Sequence, residues 1–355
     1  MSAAFVDLAT LREAAPEWAD LCARAEPNPF AEPAFLLPLL DYDRPKRLAF
    51  ALIRDDDGGL IGFAALILPR IGLAQVWMSA YAALPAAAFD RAAAPEALAA
   101  LCALLAPSRL AGLVWPLVEP SGSYGVAARA LTPLCAGRTR RAALRLAGAQ
   151  AFDASLNPKR RTKWARQARK LAALGKLDEA TGAEAVAAFF EVERKGWKGA
   201  RRSALADDLA RLAFAQAALQ NFARAGRLDA LALRLDGAPI AAGLVLIAQR
   251  RAFYWKTTYD EAYAETSPGV QLTLAHSRRL AATPGLALVD SCAVEDHPMI
   301  GRVWSEAVEF EDWAFVLRPG GERALAIWVA AAWAKTRARD AVKRLAKQVL
   351  GRNRS

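Results

Sequence analysis

"RLDALALRLDGAPIAAGLVLIAQRRAFYWKTTYD", Arg227 to Asp260, is the stretch that decides the fold. It holds three apolar runs. Asp236-Gly237 separates the first two, a dipeptide that accepts the positive φ of a tight hairpin turn. The third, "RAFYWKTTY", follows almost at once, so the three read as an antiparallel meander. Strand alternation puts Tyr254, Lys256 and Thr258 on one face of the third run and Phe253, Trp255 and Thr257 on the other. The first of these faces suits a substrate wall, and equally a half-exposed strand.

The chain leaves the meander through "DEAYAETSPGVQLTLAHSRRLAA". Ser267 is placed to cap a helix and Pro268 fits its first turn, where a missing N–H costs nothing. Gly269 would let a ligand approach the backbone, and a helix N-terminus is an anion site. An ordinary capped helix is the alternative. Upstream, "GAEAVAAFFEVERKGWKG" reads as a helix ending at Gly196. Ala206–Gly226 reads as a second, with Leu209, Leu212, Phe214, Ala218, Leu219 and Phe222 on its buried side and Gly226 as its stop. Downstream come a strand, "GLALVDSCAV", a short helix, "HPMIGRVWSEA", and a last strand, "VEFEDWAFVL".

The first 150 residues repeat this order loosely. "LREAAPEWADLCARA" is helical, with Leu11, Trp18, Leu21 and Cys22 as apolar markers. "EPNPFAEPAFLLPLL" carries four prolines and is expected to run extended or broken. "RLAFALIRDDDGGLIGFAALILP" is a hairpin about Asp57-Gly58-Gly59. "APEALAALCALLAPS" is a helix, "LAGLVWPLV" a strand, "GSYGVAARALTPL" a turn and short helix, and "RAALRLAGAQAFDASL" a closing strand. Meander strands alternating with crossover helices imply a mixed α/β architecture in each half. The length, 355 residues, fits two domains.

Between the halves lies "NPKRRTKWARQARKLAALGKL", Asn157–Leu177, with eight basic residues and no acid. On a helix, Lys159, Lys163, Arg166 and Lys170 form one stripe, and Trp164, Ala168, Leu171 and Leu174 another. The charged stripe faces either an anionic ligand or plain solvent. The C-terminal "KTRARDAVKRLAKQVLGRNRS" is a second basic amphipathic segment, suited to an anionic lipid surface or to docking on the second domain. The whole chain carries a formal charge of +11, which favours an anionic partner: a phosphorylated small molecule, RNA or an acidic membrane.

Two histidines exclude a multi-histidine metal centre, so no metal is expected. The four cysteines are scattered without CxxC spacing and read as free thiols of a reducing compartment. No secretory signal opens the chain, and its longest apolar run near the C-terminus, eleven residues, is too short to span a bilayer. A soluble, cytoplasmic protein is expected, with peripheral membrane contact on the inner face as an option. The phosphate-binding GxGxxG and GxxxxGK[ST] motifs, the HExxH zinc motif and the GxSxG elbow are all missing.

The order of elements from Ala183 to Leu317 resembles the GNAT acyltransferase fold. The words "KRRTKWARQARKLAALGKL", "FFEVERKGWKG", "YDEAYAETSPGVQLTLAHSRRL" and "VDSCAVEDHPMIGRVW" together resemble the acetyltransferase-like family of CelD-type exopolysaccharide proteins, relatives of the FemAB aminoacyltransferases. The resemblance implies two tandem GNAT-like domains, 1–150 and 151–320, with a basic C-terminal helix over 321–355. It implies an acyltransferase moving an acyl, first an acetyl, group from acyl-CoA to an amine or hydroxyl acceptor. Ser267, Pro268, Gly269, Val270 and Gln271 stand where the family holds the donor's pyrophosphate, although the usual Arg/Gln-x-x-Gly-x-Gly/Ala pattern is replaced here.

Trp197 and Lys198, with Tyr254, Lys256 and Tyr259, are the candidate substrate wall. Asp290, at the end of a strand, and His297 are candidate acid–base residues, with helix capping by "DHP" as the other reading of the second. From Ser291 to Val316 there is no tyrosine to protonate a departing thiolate. An aminoacyl-tRNA donor, or a non-catalytic role in polysaccharide assembly, therefore stays open beside acetyl-CoA.

Overall fold

The structure, a computed structural model, describes residues 1–196, 204–295 and 297–334. Its strands are β1 (Ser2–Val6), β2 (Leu48–Arg54), β3 (Leu60–Ile67), β4 (Gly72–Val76), β5 (Ala87–Phe89), β6 (Leu110–Val118), β7 (Leu134–Arg145), β8 (Leu177–Thr181), β9 (Leu228–Leu235), β10 (Ala238–Ala248), β11 (Arg251–Tyr259), β12 (Leu288–Asp290) and β13 (Glu306–Val316). They form one continuous sheet in the order β1-β2-β3-β4-β6-β13-β7-β12-β11-β10-β9-β8, with β5 added to β3. A mixed sheet in each half was the expectation, and both are present. The structure joins them through an exchange of closing strands.

The exchange exposes a strand-by-strand repeat. In the first half β1, β2, β3 and β4 are successively antiparallel, β4 is parallel to β6, and β6 is antiparallel to β13. In the second half β8, β9, β10 and β11 are successively antiparallel, β11 is parallel to β12, and β12 is antiparallel to β7. Each half thus takes its last strand from the other, and β13 and β7 pair along the middle of the sheet. Helices repeat as well. Helix Ala94–Leu105 crosses over between β4 and β6 as helix Pro268–Ala281 does between β11 and β12.

The sheet is sandwiched between two layers. Helices Ala15–Arg24, Pro33–Tyr42, Gly182–Lys195 and Leu209–Arg224 cover one face, where Trp18, Phe35, Phe189, Phe222 and Phe253 share a single core. Helices Ala94–Leu105, Pro158–Ala172 and Pro268–Ala281 cover the other. Each fully buried Phe or Leu contributes about 1.5–3 kcal/mol relative to exposure, so the core running through both halves binds them firmly.

Several local expectations hold. The Asp236-Gly237 and Asp55–Gly59 turns both close hairpins, and Gly226 ends its helix at φ +65° with Arg227 N donating to Phe222 O. Others fail for physical reasons. The proline-rich segment is mostly helical, Pro33–Tyr42, because Pro33 starts the helix and Pro38 is tolerated inside it. Leu209 is 85% exposed at the first residue of its helix, and Leu174 55% exposed in the turn beyond helix Pro158–Ala172. The segment after β7 turns into helix Ala149–Ser155 rather than continuing as a strand. No helix among the described residues is long and apolar enough to cross a membrane.

Candidate functional site

The two halves differ where the parallel pair begins. β11 is nine residues long, but it pairs with β12 only from Arg251↔Leu288 to Phe253↔Asp290. β12 stops there and the chain turns away at Cys292, whose φ is +53°. β11 runs on to Tyr259, paired with β10 on its other edge. The divergence opens a cleft of two contiguous cavities, about 280 and 350 Å³. Thr257, His297 and Met299 line both. Lys256, Ser291 and Cys292 lie on the inner one, and Glu193, Tyr259 and Glu261 on the outer one. In the first half β4 has only five residues, and the chain after it returns as β5 onto β3.

β11 carries a β-bulge beside this cleft. Lys256 pairs with Leu244 and Phe253 with Leu246, so Tyr254 and Trp255 together face the single residue Val245. A bulge adds one residue and breaks strict alternation. Tyr254 accordingly lies in the core under helix Pro268–Ala281, its ring between His276 and Trp304. Trp255 joins the opposite core and donates from Nε1 to Tyr81 O at 2.8 Å. Lys256, opposite Leu244, falls on the Trp255 side, with its Nζ 5.6 Å from that ring. The expected shared face of Tyr254 and Lys256 is therefore corrected. Tyr254 is 2% exposed and burial pushes its phenol up; packed under helix Pro268–Ala281, it also lines the inner cavity. Tyr259, 39% exposed, stands at the outer cavity.

Asp290 ends β12 inside a cluster of charged side chains. Fully buried, its Oδ2 accepts from Arg251 Nη2 at 3.0 Å and Arg141 Nη1 at 3.4 Å, and its Oδ1 from Cys292 N at 2.8 Å. Arg251 also donates to Glu119 Oε2, and Arg141 to Ala83 O. The cluster ties β12, β11 and β7 to the first half. The Cys292 thiol is pushed up by burial and by this carboxylate, which leaves it a weak nucleophile.

His297 does face the cleft. Its Nδ1 accepts from Met299 N and Ile300 N, both at 3.4 Å, so the ring caps the short helix Ile300–Val303. Burial lowers its pKa. The neutral ring with Nδ1 accepting carries its proton on Nε2, which makes it a hydrogen-bond donor. Glu193 is a further wall residue, 2% exposed, whose Oε2 accepts from Leu205 N at 2.8 Å. Its signal in the sequence was an acid four residues after Phe189, on the buried stripe of its helix. Thr257 and Met299 carried no such signal.

The loop Ser267–Gln271 is built differently from the expectation. Ser267 sits in the left-handed region at φ +54° and makes no side-chain cap; its Oγ accepts from Gln167 Nε2 at 2.7 Å. Pro268 takes the first turn, as expected. The amides of Val270 and Gln271 already donate to Ser267 O, and Pro268 has none. A Cβ on Gly269 would lie 3.1 Å from the Tyr259 ring and 3.4 Å from Met299 Sδ, so the glycine admits these side chains over the helix end. Gln271 Nε2 donates to Trp164 O at 3.0 Å.

These contacts dock the basic helix Pro158–Ala172 across the loop, with Trp164 and Leu171 buried and Lys159, Lys163, Arg166 and Lys170 exposed. Arg160 Nη1, donating to Arg302 O, fixes its near end. Trp197 and Lys198 lie outside the described residues, as does the basic segment 335–355; 322–334 is helical. Among the described residues no cluster of side chains could hold a metal ion.

Residues 158–297 match the model of the acetyltransferase (GNAT) domain. With the topological repeat, this makes the fold two GNAT-like units in tandem. Among solved structures, FemX is 12% identical, with 89% of this chain and 97% of that chain covered and a TM-score of 0.56. The C-terminal domain of a putative lysylphosphatidylglycerol synthetase from Agrobacterium fabrum is 11% identical, with 90% and 96% covered and a TM-score of 0.53. A tandem GNAT protein from the clavulanic acid biosynthesis pathway is 18% identical over 90% and 100%, with a TM-score of 0.46. At such identities the likeness is one of fold. No curated protein matches the sequence.

Proposed function

We propose that the protein is an acyltransferase whose second unit, residues 151–320, takes an acyl group from acyl-CoA, acetyl-CoA first, to an amine or hydroxyl acceptor. The first unit, 1–150, is its degenerate scaffold. The observation that carries this reading is the divergence of β11 from β12 after Phe253/Asp290. An extended, amide-bearing donor arm can lie along the open edge of β11 by main-chain hydrogen bonds, as an added strand does. The bulge and His297 Nε2 are placed to offer donors to the oxygen of a thioester carbonyl as the acceptor attacks it. The acceptor's nitrogen or oxygen bonds to the carbonyl carbon, the C–S bond breaks, and the acceptor's proton ends on the sulfur. Glu193 is the wall carboxylate that we assign to carry that proton. Tyr259, Lys256, Trp197 and Lys198 are left to the acceptor's side. An acceptor in polysaccharide or envelope assembly is the reading that the CelD-type resemblance favours.

A second reading has its own observation. The exposed Lys159, Lys163, Arg166 and Lys170 lie on a helix tied to Ser267, which suits a polyanion such as aminoacyl-tRNA as donor. Calorimetric titration separates the two. Acetyl-CoA is expected to bind the protein, and Thr257→Trp, which puts a bulky ring on the wall that the two cavities share, to weaken it by roughly tenfold or more. Binding of tRNA with no binding of acetyl-CoA would favour the second reading. Neither ligand binding would leave a non-catalytic assembly protein.

A further inference from the structure

The inner cavity of the cleft is larger than an acetyl group needs. In the acyl-CoA reading the thioester carbonyl meets His297, which lines both cavities and so stands at their junction. The donor's arm leaves along β11 toward Tyr259, through the outer cavity. The group on the far side of the carbonyl is left to the inner one. That space, about 280 Å³, would hold roughly nine waters at about 30 Å³ each. The methyl of an acetyl group replaces about one of them.

The wall of this space is apolar and firm. Tyr254 and Trp255 line it as rings fixed from behind, the first between His276 and Trp304, the second by its bond to Tyr81 O. Ala293 and the buried Ile300 continue the wall, and Met299, a side chain that adapts to the shape beside it, stands where the cavities meet. Burial keeps the Cys292 thiol protonated, so it packs as a small apolar group. The polar groups are turned elsewhere: Ser291 Oγ accepts from Ala293 N at 3.3 Å, and Lys256 Nζ lies 5.6 Å from the Trp255 ring centroid. A preformed cavity with walls of this kind selects hydrocarbon.

We infer that the acyl group transferred is a medium-length hydrocarbon chain, of the hexanoyl class, rather than acetyl. The inference rests on the acyl-CoA reading and narrows its donor. A chain of this class leaves water for the apolar wall, and each methylene added beyond acetyl strengthens binding roughly threefold while the cavity still has room. Acetyl-CoA binds the same site as the weakest member of the series.

Calorimetric titration of the full chain with acetyl-CoA, butanoyl-CoA and hexanoyl-CoA tests it. Affinity is expected to rise along the series, with hexanoyl-CoA bound roughly tenfold or more tightly than acetyl-CoA. Ala293→Phe, which puts a ring on the inner wall, is expected to bring that ratio down to about one. Ala293→Leu is the milder variant and should lower the ratio part of the way; melting curves check that both keep the fold. Equal affinities of the parent for acetyl-CoA and hexanoyl-CoA would overturn the inference and leave the acyl-CoA reading in place. So would a chain-length preference that both folded variants keep in full, because the chain would then lie elsewhere. Binding of no CoA ester would sink the reading and the inference together.

Discussion

Asn221 Nδ2 donates to Ala34 O at 3.0 Å, from one half of the molecule to the other. Ala34 O is the carbonyl that a residue at position 38 would bond in an unbroken helix, and position 38 is a proline. A side chain 187 residues downstream supplies the missing donor. Asn221→Ala should destabilise by about 1–2 kcal/mol in denaturant unfolding, because it strands a part-buried acceptor. In the Pro38→Ala background, where the helix can supply its own donor, the same change should cost markedly less. An identical cost in both backgrounds would disprove the substitution of one donor for the other.

Arg251, Asp290 and Arg141, buried, and the part-buried Glu119 make a second prediction. Asp290→Ala leaves two buried guanidiniums without their shared carboxylate, and the loss should be about 3–5 kcal/mol. Asp290→Asn keeps the shape and should cost less. A true proton acceptor would instead show normal stability with activity abolished in Asp290→Asn, so unfolding curves measured beside turnover separate the two roles.

His297 sets a pH dependence with a definite sign. Burial lowers its pKa below the ordinary 6.5, so the folded state favours the neutral ring. The unfolded chain then takes up the proton first as pH falls. The contribution of His297 to stability is complete above about pH 6.5 and is lost as pH drops through the lower folded value. Melting temperatures followed from about pH 7.5 to about pH 5 should fall less steeply in His297→Gln than in the parent. Parallel slopes would show that the ring does not titrate as its burial requires.

Much of the second half was legible because its signals are local. Asp236-Gly237, Gly226 and Pro268 each act on their own backbone, and the apolar period of helix Leu209–Arg224 reports its buried side through Phe214, Ala218 and Phe222. The cleft was less legible. Nothing in "FYWKTT" marks the bulge, which arises from pairing with Leu244 and Leu246 some ten residues earlier. The pairing of Asp290 with Arg141 was not legible because Arg141 lies in the other half of the sequence, as does Glu119, which shares Arg251 with Asp290. Ser267 looked like a cap because Ser-Pro before a helix usually is one; its left-handed backbone turns the hydroxyl to Gln167. The strands β1, β4, β5 and β8 are short and gain their place from neighbours rather than from propensity.

The exchange of closing strands has a consequence for how the chain is made. β6 ends at Val118, yet its partner β13 begins only at Glu306, and Asp312 accepts from Leu117 N across 195 positions. While the ribosome is still adding the second half, the first therefore waits with β6 as an open, apolar edge, and such edges invite wrong pairing. A contact of this span closes slowly. The nascent first half is thus the stage at which a chaperone would matter most, and neither half, cut at residue 150, carries the strand that finishes its own sheet.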